Sequence, residues 1–126
     1  MKAAGCIQVE YGFESGSTES LRRLGKQTDI ELNRRAVELT RRAGLRIFAD
    51  IMVGLPGETP EDFKATVRFL RWARPEIISA ARLCPLPGTP IYNNLDPAVR
   101  SKIGWEDFSY PDSQVNPVNL TAMPDR

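Results

Sequence analysis

The sequence has no histidine, and its 126 residues include two cysteines, Cys6 and Cys84. Without imidazole there is no histidine general base, no nucleophilic triad built on one and no histidine-ligated metal. The two cysteines stand far apart, with no second cysteine two or three positions from either, so neither belongs to a local metal or redox motif. Buried small side chains are their expected role. No charge of one sign dominates: 17 Lys and Arg face 16 Asp and Glu, a net charge of +1. Bulk electrostatics therefore gives no reason to expect a nucleic acid or a membrane surface as partner. Long apolar runs are missing too. No stretch approaches the roughly 18 residues of a membrane span, and the amino terminus lacks the basic-then-apolar pattern of a signal peptide. The expected location is the cytoplasm.

What is present is an alternation of strands and helices. Met1 to Gly5 reads as the last helical turn before a glycine stop, and Ile7, Val9, Tyr11 and Phe13 then alternate as a strand. Gly12, Gly16 and the serines around them mark a loop. From Thr28, with Glu31 three residues on, a helix runs to Ala43, with Leu32, Ala36, Leu39 and Ala43 as its expected buried stripe. Gly44 stops it. Arg46 to Val53 is too continuously apolar for a half-wet strand and fits a parallel strand covered on both faces. Thr59-Pro60-Glu61-Asp62 starts a second helix, which reaches about Ala73 with Phe63, Val67, Leu70 and Arg71 or Trp72 as its stripe. Ile77 to Cys84 is the third strand, closed by Pro85-Leu86-Pro87-Gly88-Thr89-Pro90.

A repeated strand, glycine loop and helix forces parallel pairing with crossover connections, so the fold class is α/β. Residues 1–92 carry this pattern. Residues 93–126 form a polar, partly extended tail with a short helix from Asp96 to Ile103. Its Trp105 to Tyr110 patch either covers a substrate or packs on the outside of the sheet, the second reading being favoured. Three parallel strands and two crossover helices amount to about three-eighths of an eight-stranded barrel. An open sheet of this size leaves two unpaired edges, which natural proteins cover. The expected partner is another copy of the chain, or a polypeptide with the absent half of the barrel.

Ligands of such folds sit at the carboxyl ends of strands. Glu14 and Ser15 follow the first strand, Asp50 lies near the end of the second, the run Gly54-Leu55-Pro56-Gly57-Glu58-Thr59 follows it, and Pro85 to Thr89 follow the third. Glu14 and Asp50 suit a pair of sugar hydroxyls, the alternative being a solvated rim pair. Lys26, after Leu24-Gly25, suits an anionic ligand group, or is plain surface. Gly54 and Gly57 either let the backbone approach a flat ligand or serve a tight connection.

Taken together, Gly12-Phe13-Glu14-Ser15-Gly16-Ser17, Leu24-Gly25-Lys26, the run from Asp50 to Thr59 and the run from Pro85 to Tyr92 resemble the second half of a radical S-adenosylmethionine (SAM) domain. The likeness is to the branch joined to cobalamin-binding domains and to its methylthiotransferase and coproporphyrinogen-dehydrogenase-like relatives. It implies a fragment of a partial six-stranded (β/α) barrel, covering the fourth to sixth strands. It further implies that Glu14 and Asp50 bind the SAM ribose with Ser15 nearby, that Lys26 meets the methionyl carboxylate, and that Val53, Gly54, Leu55, Pro87 and Gly88 pack on adenine. The family's Cys-x3-Cys-x2-Cys motif is absent, so the [4Fe-4S] cluster that reduces SAM to a 5′-deoxyadenosyl radical has to come with a missing amino-terminal half. No catalytic or metal-ligating residue is therefore expected in this chain, and its substrate is unknown. The competing reading is a nucleotide-binding or assembly module derived from the same barrel, without radical chemistry.

Overall fold

The computed structural model describes residues 1–104 and 118–124. Three strands, β1 (Gln8–Glu14), β2 (Arg46–Val53) and β3 (Ile77–Arg82), form a parallel sheet in the order β1-β2-β3. Between β1 and β2 run helices α1 (Thr18–Arg23) and α2 (Ile30–Arg42). Helix α3 (Pro60–Ala73) joins β2 to β3, and two short helices follow, α4 (Pro90–Asn93) and α5 (Pro97–Arg100). This is the expected α/β fragment, three parallel strands with their crossover helices. Among the described residues no helix is long and apolar enough to cross a membrane.

The core lies on one face of the sheet. Alternate β2 residues Ile47, Ala49 and Ile51 are almost fully buried and meet Phe13 of β1, Val37 of α2, and Phe69 and Ala73 of α3. Phe13 stacks on Tyr11 at 5.0 Å and meets Phe69 edge-on at 5.1 Å, the geometry that aromatic quadrupoles prefer. Each such aliphatic or aromatic side chain contributes about 1.5–3 kcal/mol by leaving water.

The helices bury different stripes from those the apolar spacing suggests. In α2 the buried residues are Asn33, Val37 and Thr40, whereas Leu32 and Leu39 are 57% and 49% exposed and Ala43 lies at the surface. The polar groups that enter this interface find partners for their oxygens: the Thr40 hydroxyl donates to the Ala36 carbonyl and shares a 2.6 Å bond with the Tyr11 hydroxyl, and Asn33 Oδ1 accepts from Thr28, while Asn33 Nδ2 is buried without a partner among the described residues. The cap is Asp29, accepting from Leu32 N–H, not Thr28. In α3 the buried residues are Thr66, Phe69 and Ala73, while Phe63 and Trp72 are exposed. The Trp72 ring supports the Arg34 guanidinium at 4.8 Å instead.

Both rims of the sheet are tied to the helices. At the amino end, Glu76 accepts from Ile47 N–H at 2.7 Å, which is the main cause of its carboxyl lying below the usual glutamate range. Arg41 at the end of α2 donates to the carbonyls of Ala73 and Arg74 at the end of α3. At the carboxyl end, the loop leaving β1 docks on α3: Gly16 N–H donates to Thr66 Oγ1 at 2.9 Å, and the Ser15 hydroxyl meets the same oxygen at 3.1 Å. A Cβ on Gly16 would lie 2.6 Å from Thr66 Cα and 2.7 Å from the Ala65 carbonyl, too close for any side chain. Gly16→Ala is accordingly expected to lower the unfolding free energy by about 2 kcal/mol, the usual scale of overpacking, in urea denaturation followed by far-ultraviolet circular dichroism. An unchanged midpoint would show that the loop does not need this contact.

Candidate functional site

The face of the sheet away from the helices carries Glu10, Gly12, Phe48, Asp50 and Ser79, by alternation from the buried residues. Gly12, Asp50 and Ser79 stand side by side in register, so their positions share this face. Between Gly12 and Glu14 the register of β1 slips at a bulge, and Glu14 takes a left-handed backbone with φ 61°. The consequence is specific. A Cβ on Gly12 would lie 2.8 Å from Glu14 Oε1 and 3.4 Å from Lys26 Nζ, so the Glu14 carboxylate folds over Gly12 onto the face that holds Asp50.

Lys26 Nζ lies 2.8 Å from Glu14 Oε1 and donates to the Gly12 carbonyl at 3.3 Å. The structure therefore brings Glu14, Lys26 and Asp50 to one rim and pairs the first two. The second Glu14 oxygen and both oxygens of half-buried Asp50 make no hydrogen bond among the described residues. Carboxylate oxygens left so at a strand end are competent to accept from hydroxyl groups.

The other expected site residues are placed differently. Ser15 is fully buried, its hydroxyl engaged by Thr66 and by Ser17 N–H, so it supports the loop from the helix side. Leu55 is 1% exposed and its side chain packs inward. Val53 is half-buried against the core and Gly54 follows with φ 75°. The space beside Gly54 is taken by Arg82, and that beside Gly57 by Arg23. Pro87 and Gly88 lie in an exposed loop, with open space around Gly88.

Two acids that the sequence reading left without a site role hold the turn in shape. Glu58, 1% exposed, accepts from Gly54 N–H at 2.8 Å and Leu55 N–H at 3.3 Å. Burial pushes its carboxyl above the ordinary glutamate value despite these two bonds. Asp62 closes a capping box with Thr59 and accepts from the Ser17 hydroxyl at 2.5 Å, with Arg23 Nη1 3.4 Å away. Burial would raise its pKa, but the bonds from Ser17 and Thr59, with the Arg23 charge, hold it below the usual range. The signal for Asp62 was its place three residues after Thr59. For Glu58 the signal was an acid directly after a double-glycine turn, where free amides need an acceptor.

The tail returns to this turn. Gly57 N–H donates to the Leu120 carbonyl at 2.7 Å and Ala122 N–H to the Glu58 carbonyl at 3.0 Å, with Val118 buried. The Trp105 to Tyr110 patch lies outside the described residues.

The sequence model of the radical SAM superfamily matches residues 1–70. The chain belongs to that superfamily. It is 32% identical over 94 residues to an anaerobic magnesium-protoporphyrin IX monomethyl ester cyclase of Rubrivivax gelatinosus, covering 75% of this chain and 17% of the relative. A probable threonylcarbamoyladenosine tRNA methylthiotransferase of Pyrococcus horikoshii is 36% identical over 78 residues, covering 60% of this chain and 18% of the relative. A tRNA-2-methylthio-N(6)-dimethylallyladenosine synthase of a Parafrankia strain is 37% identical over 102 residues, 77% of this chain and 21% of the relative. The chain thus spans about a fifth of the length of these curated relatives.

Complete radical SAM proteins use SAM and a [4Fe-4S] cluster. The cluster does not fit here: among the described residues no group of three His, Cys, Asp or Glu side chains can hold a metal, and the chain has Cys6 and Cys84 alone. The donor set at the rim does suit SAM, with free carboxylate oxygens for hydroxyls and an ammonium for a carboxylate.

Glu58 offers a test of the turn. Glu58→Ala strips the acceptor from two amides and is expected to cost about 2–4 kcal/mol, at about 1–2 kcal/mol for each unsatisfied group. Glu58→Gln keeps an acceptor oxygen and removes the charge. Because the folded pKa is raised, the ionised wild type loses stability as pH rises from the ordinary glutamate value through the raised one. The unfolding free energy of wild type minus that of Glu58→Gln should fall over that window in urea titrations at stepped pH.

Proposed function

We propose that this chain is the nucleotide-binding side of a radical SAM enzyme, working with a polypeptide segment that carries the three-cysteine cluster motif. Glu14 and Asp50 hold the ribose hydroxyls, Lys26 meets the methionyl carboxylate, and the backbone from Val53 to Leu55 with the Pro87-Gly88 loop covers the adenine. SAM, when bound, supplies the adenosyl group whose radical chemistry defines the family; this chain orients it and excludes water around it. The observation that supports this most is the Gly12 cradle, where a missing side chain lets the Glu14 carboxylate reach the Asp50 face. Glycine at that position leaves room for a ligand-binding group beside the bulge.

The test is calorimetric titration of SAM into the chain together with the cluster-bearing segment. Asp50→Asn and Glu14→Gln should each weaken SAM at least tenfold, about 1.4 kcal/mol, with the urea midpoint unchanged. Equal affinity in wild type and both variants would leave the carboxylates as rim charges.

A second reading, an assembly module without radical chemistry, draws on the exposed apolar residues at the sheet edges. Ile77 and Ile78 on β3 are 44% and 51% exposed, as are Ile7 and Leu39 at 71% and 49% on the β1 side. Such residues suit a covering chain, either the cluster-bearing segment or another copy. Sedimentation velocity separates these: self-association abolished by Ile78→Arg favours another copy, whereas a monomer that forms a complex only with the cluster-bearing segment favours the enzyme.

A further inference from the structure

We propose that a cleft around Arg82, at the carboxyl ends of β2 and β3, binds an organic anion with an apolar body, at a place separate from the Glu14–Asp50 rim. The cleft has a volume of about 520 Å³, within the range of small-molecule sites. Val53, Gly54, Pro60, Arg82, Thr121 and Met123 line it, so strand ends form one wall and the returning tail the other. Arg82 pairs in register with Val53, whose side chain packs toward the core, whereas Asp50 lies on the opposite face. The Val53–Gly54 backbone proposed above to cover the adenine thus also borders this cleft, while the Asp50 carboxylate and the Arg82 guanidinium belong to different sides of the sheet.

The ligand class follows from what each lining group has left to offer. The tail satisfies its own polar atoms. Asn119 Nδ2 donates to the Met123 carbonyl at 2.7 Å, the Thr121 hydroxyl and N–H both reach Asn119 Oδ1, and Met123 N–H donates to Thr121. Gly54 N–H is spent on Glu58, and Pro60 and Pro124 have none. Arg82 is the exception. Half-buried, it makes no hydrogen bond or ion pair among the described residues, although a guanidinium carries five donors. Arg22, Arg23 and Arg41 are by contrast engaged: Arg22 and Arg23 with Glu19, Arg23 also with Asp62 and the Gly57 carbonyl, and Arg41 with two carbonyls.

The Arg82 stem is also held in place. Its Cγ and Nε lie 3.3 and 3.5 Å from where a Cβ on Gly54 would sit, so the glycine provides the groove in which the side chain rests. A partly desolvated, pre-positioned and unpaired cation among Val53, Pro60, Met123 and Pro124 suits a carboxylate or phosphate on an apolar skeleton.

The test uses the full chain, labelled with nitrogen-15, and four probes: 2-naphthoate, 2-naphthyl phosphate, the neutral 2-naphthalenemethanol and inorganic phosphate. Both aromatic anions should shift the Val53, Gly54, Thr121 and Met123 amides and the Arg82 Nε–H, and bind at least tenfold tighter than the alcohol. The tighter of the two identifies the oxyanion. Arg82→Gln should bring both anions down to the alcohol's affinity with the urea midpoint unchanged, and Arg82→Lys should retain part of the preference. Met123→Ala should weaken both anions and the alcohol alike, reporting on the apolar wall without touching the charge. Equal binding of anion and alcohol, indifference to Arg82→Gln, shifts confined to Ile77 and Ile78, or inorganic phosphate binding as tightly as the naphthoate would each overturn the proposal.

Discussion

The contact that the candidate site depends on is the seating of the loop after β1 against helix α3. Ser15, Gly16 and Ser17 meet Thr66 and Asp62 through three hydrogen bonds, two of them shorter than 3.0 Å. These bonds join residues that lie some fifty positions apart in sequence. They determine where β1 stops, and so where Glu14 turns its carboxylate back across Gly12. A neutral hydrogen bond contributes about 1 kcal/mol net, but losing a buried partner costs more than making the bond gains. The loop is therefore held chiefly by the penalty for leaving it, with Gly16 as the steric condition that lets the backbones meet.

The broad plan was legible because strands and capping signals are local. Arg46 to Val53 reads as a strand and is one to the residue, and the Thr59 cap with its acidic first turn begins α3 as expected. Helix faces were not legible, because burial of α2 and α3 is decided by the sheet beneath them. Thr40 and Thr66 enter the interface through partners far along the chain and Asn33 through Thr28, none of which apolar spacing registers, and Leu32 and Leu39 are left outside. Helix α1, capped by Ser17, was hidden among serines and glycines that read as a loop. The three-dimensional meeting of Glu14 and Lys26 depends on a bulge and a left-handed residue, neither of which has a one-dimensional signature. The return of Val118 to Pro124 onto the Gly57 turn was equally hidden, since it joins backbone amides to backbone carbonyls and leaves no trace in side-chain type.

Charge on this chain is nearly balanced in total yet unevenly satisfied. Most ionic groups near the strand ends are consumed internally: Arg23 with Asp62, Lys26 with Glu14, and Glu58 with two backbone amides. Among the described residues Asp50 on the bare face and Arg82 on the helix side have no such partner. One anion and one cation near the carboxyl ends thus face opposite sides of a single layer of sheet.

Apart from Arg74, Glu14 is the non-glycine residue that the described chain holds at positive φ. Six glycines occupy the comparable conformations elsewhere, where no side chain has to tolerate them. An L-residue there costs roughly 1–2 kcal/mol, which glycine would save. What stands here instead is a carboxylate 2.8 Å from Lys26 Nζ, so that ion pair is carried by a residue whose backbone would relax if its side chain were removed.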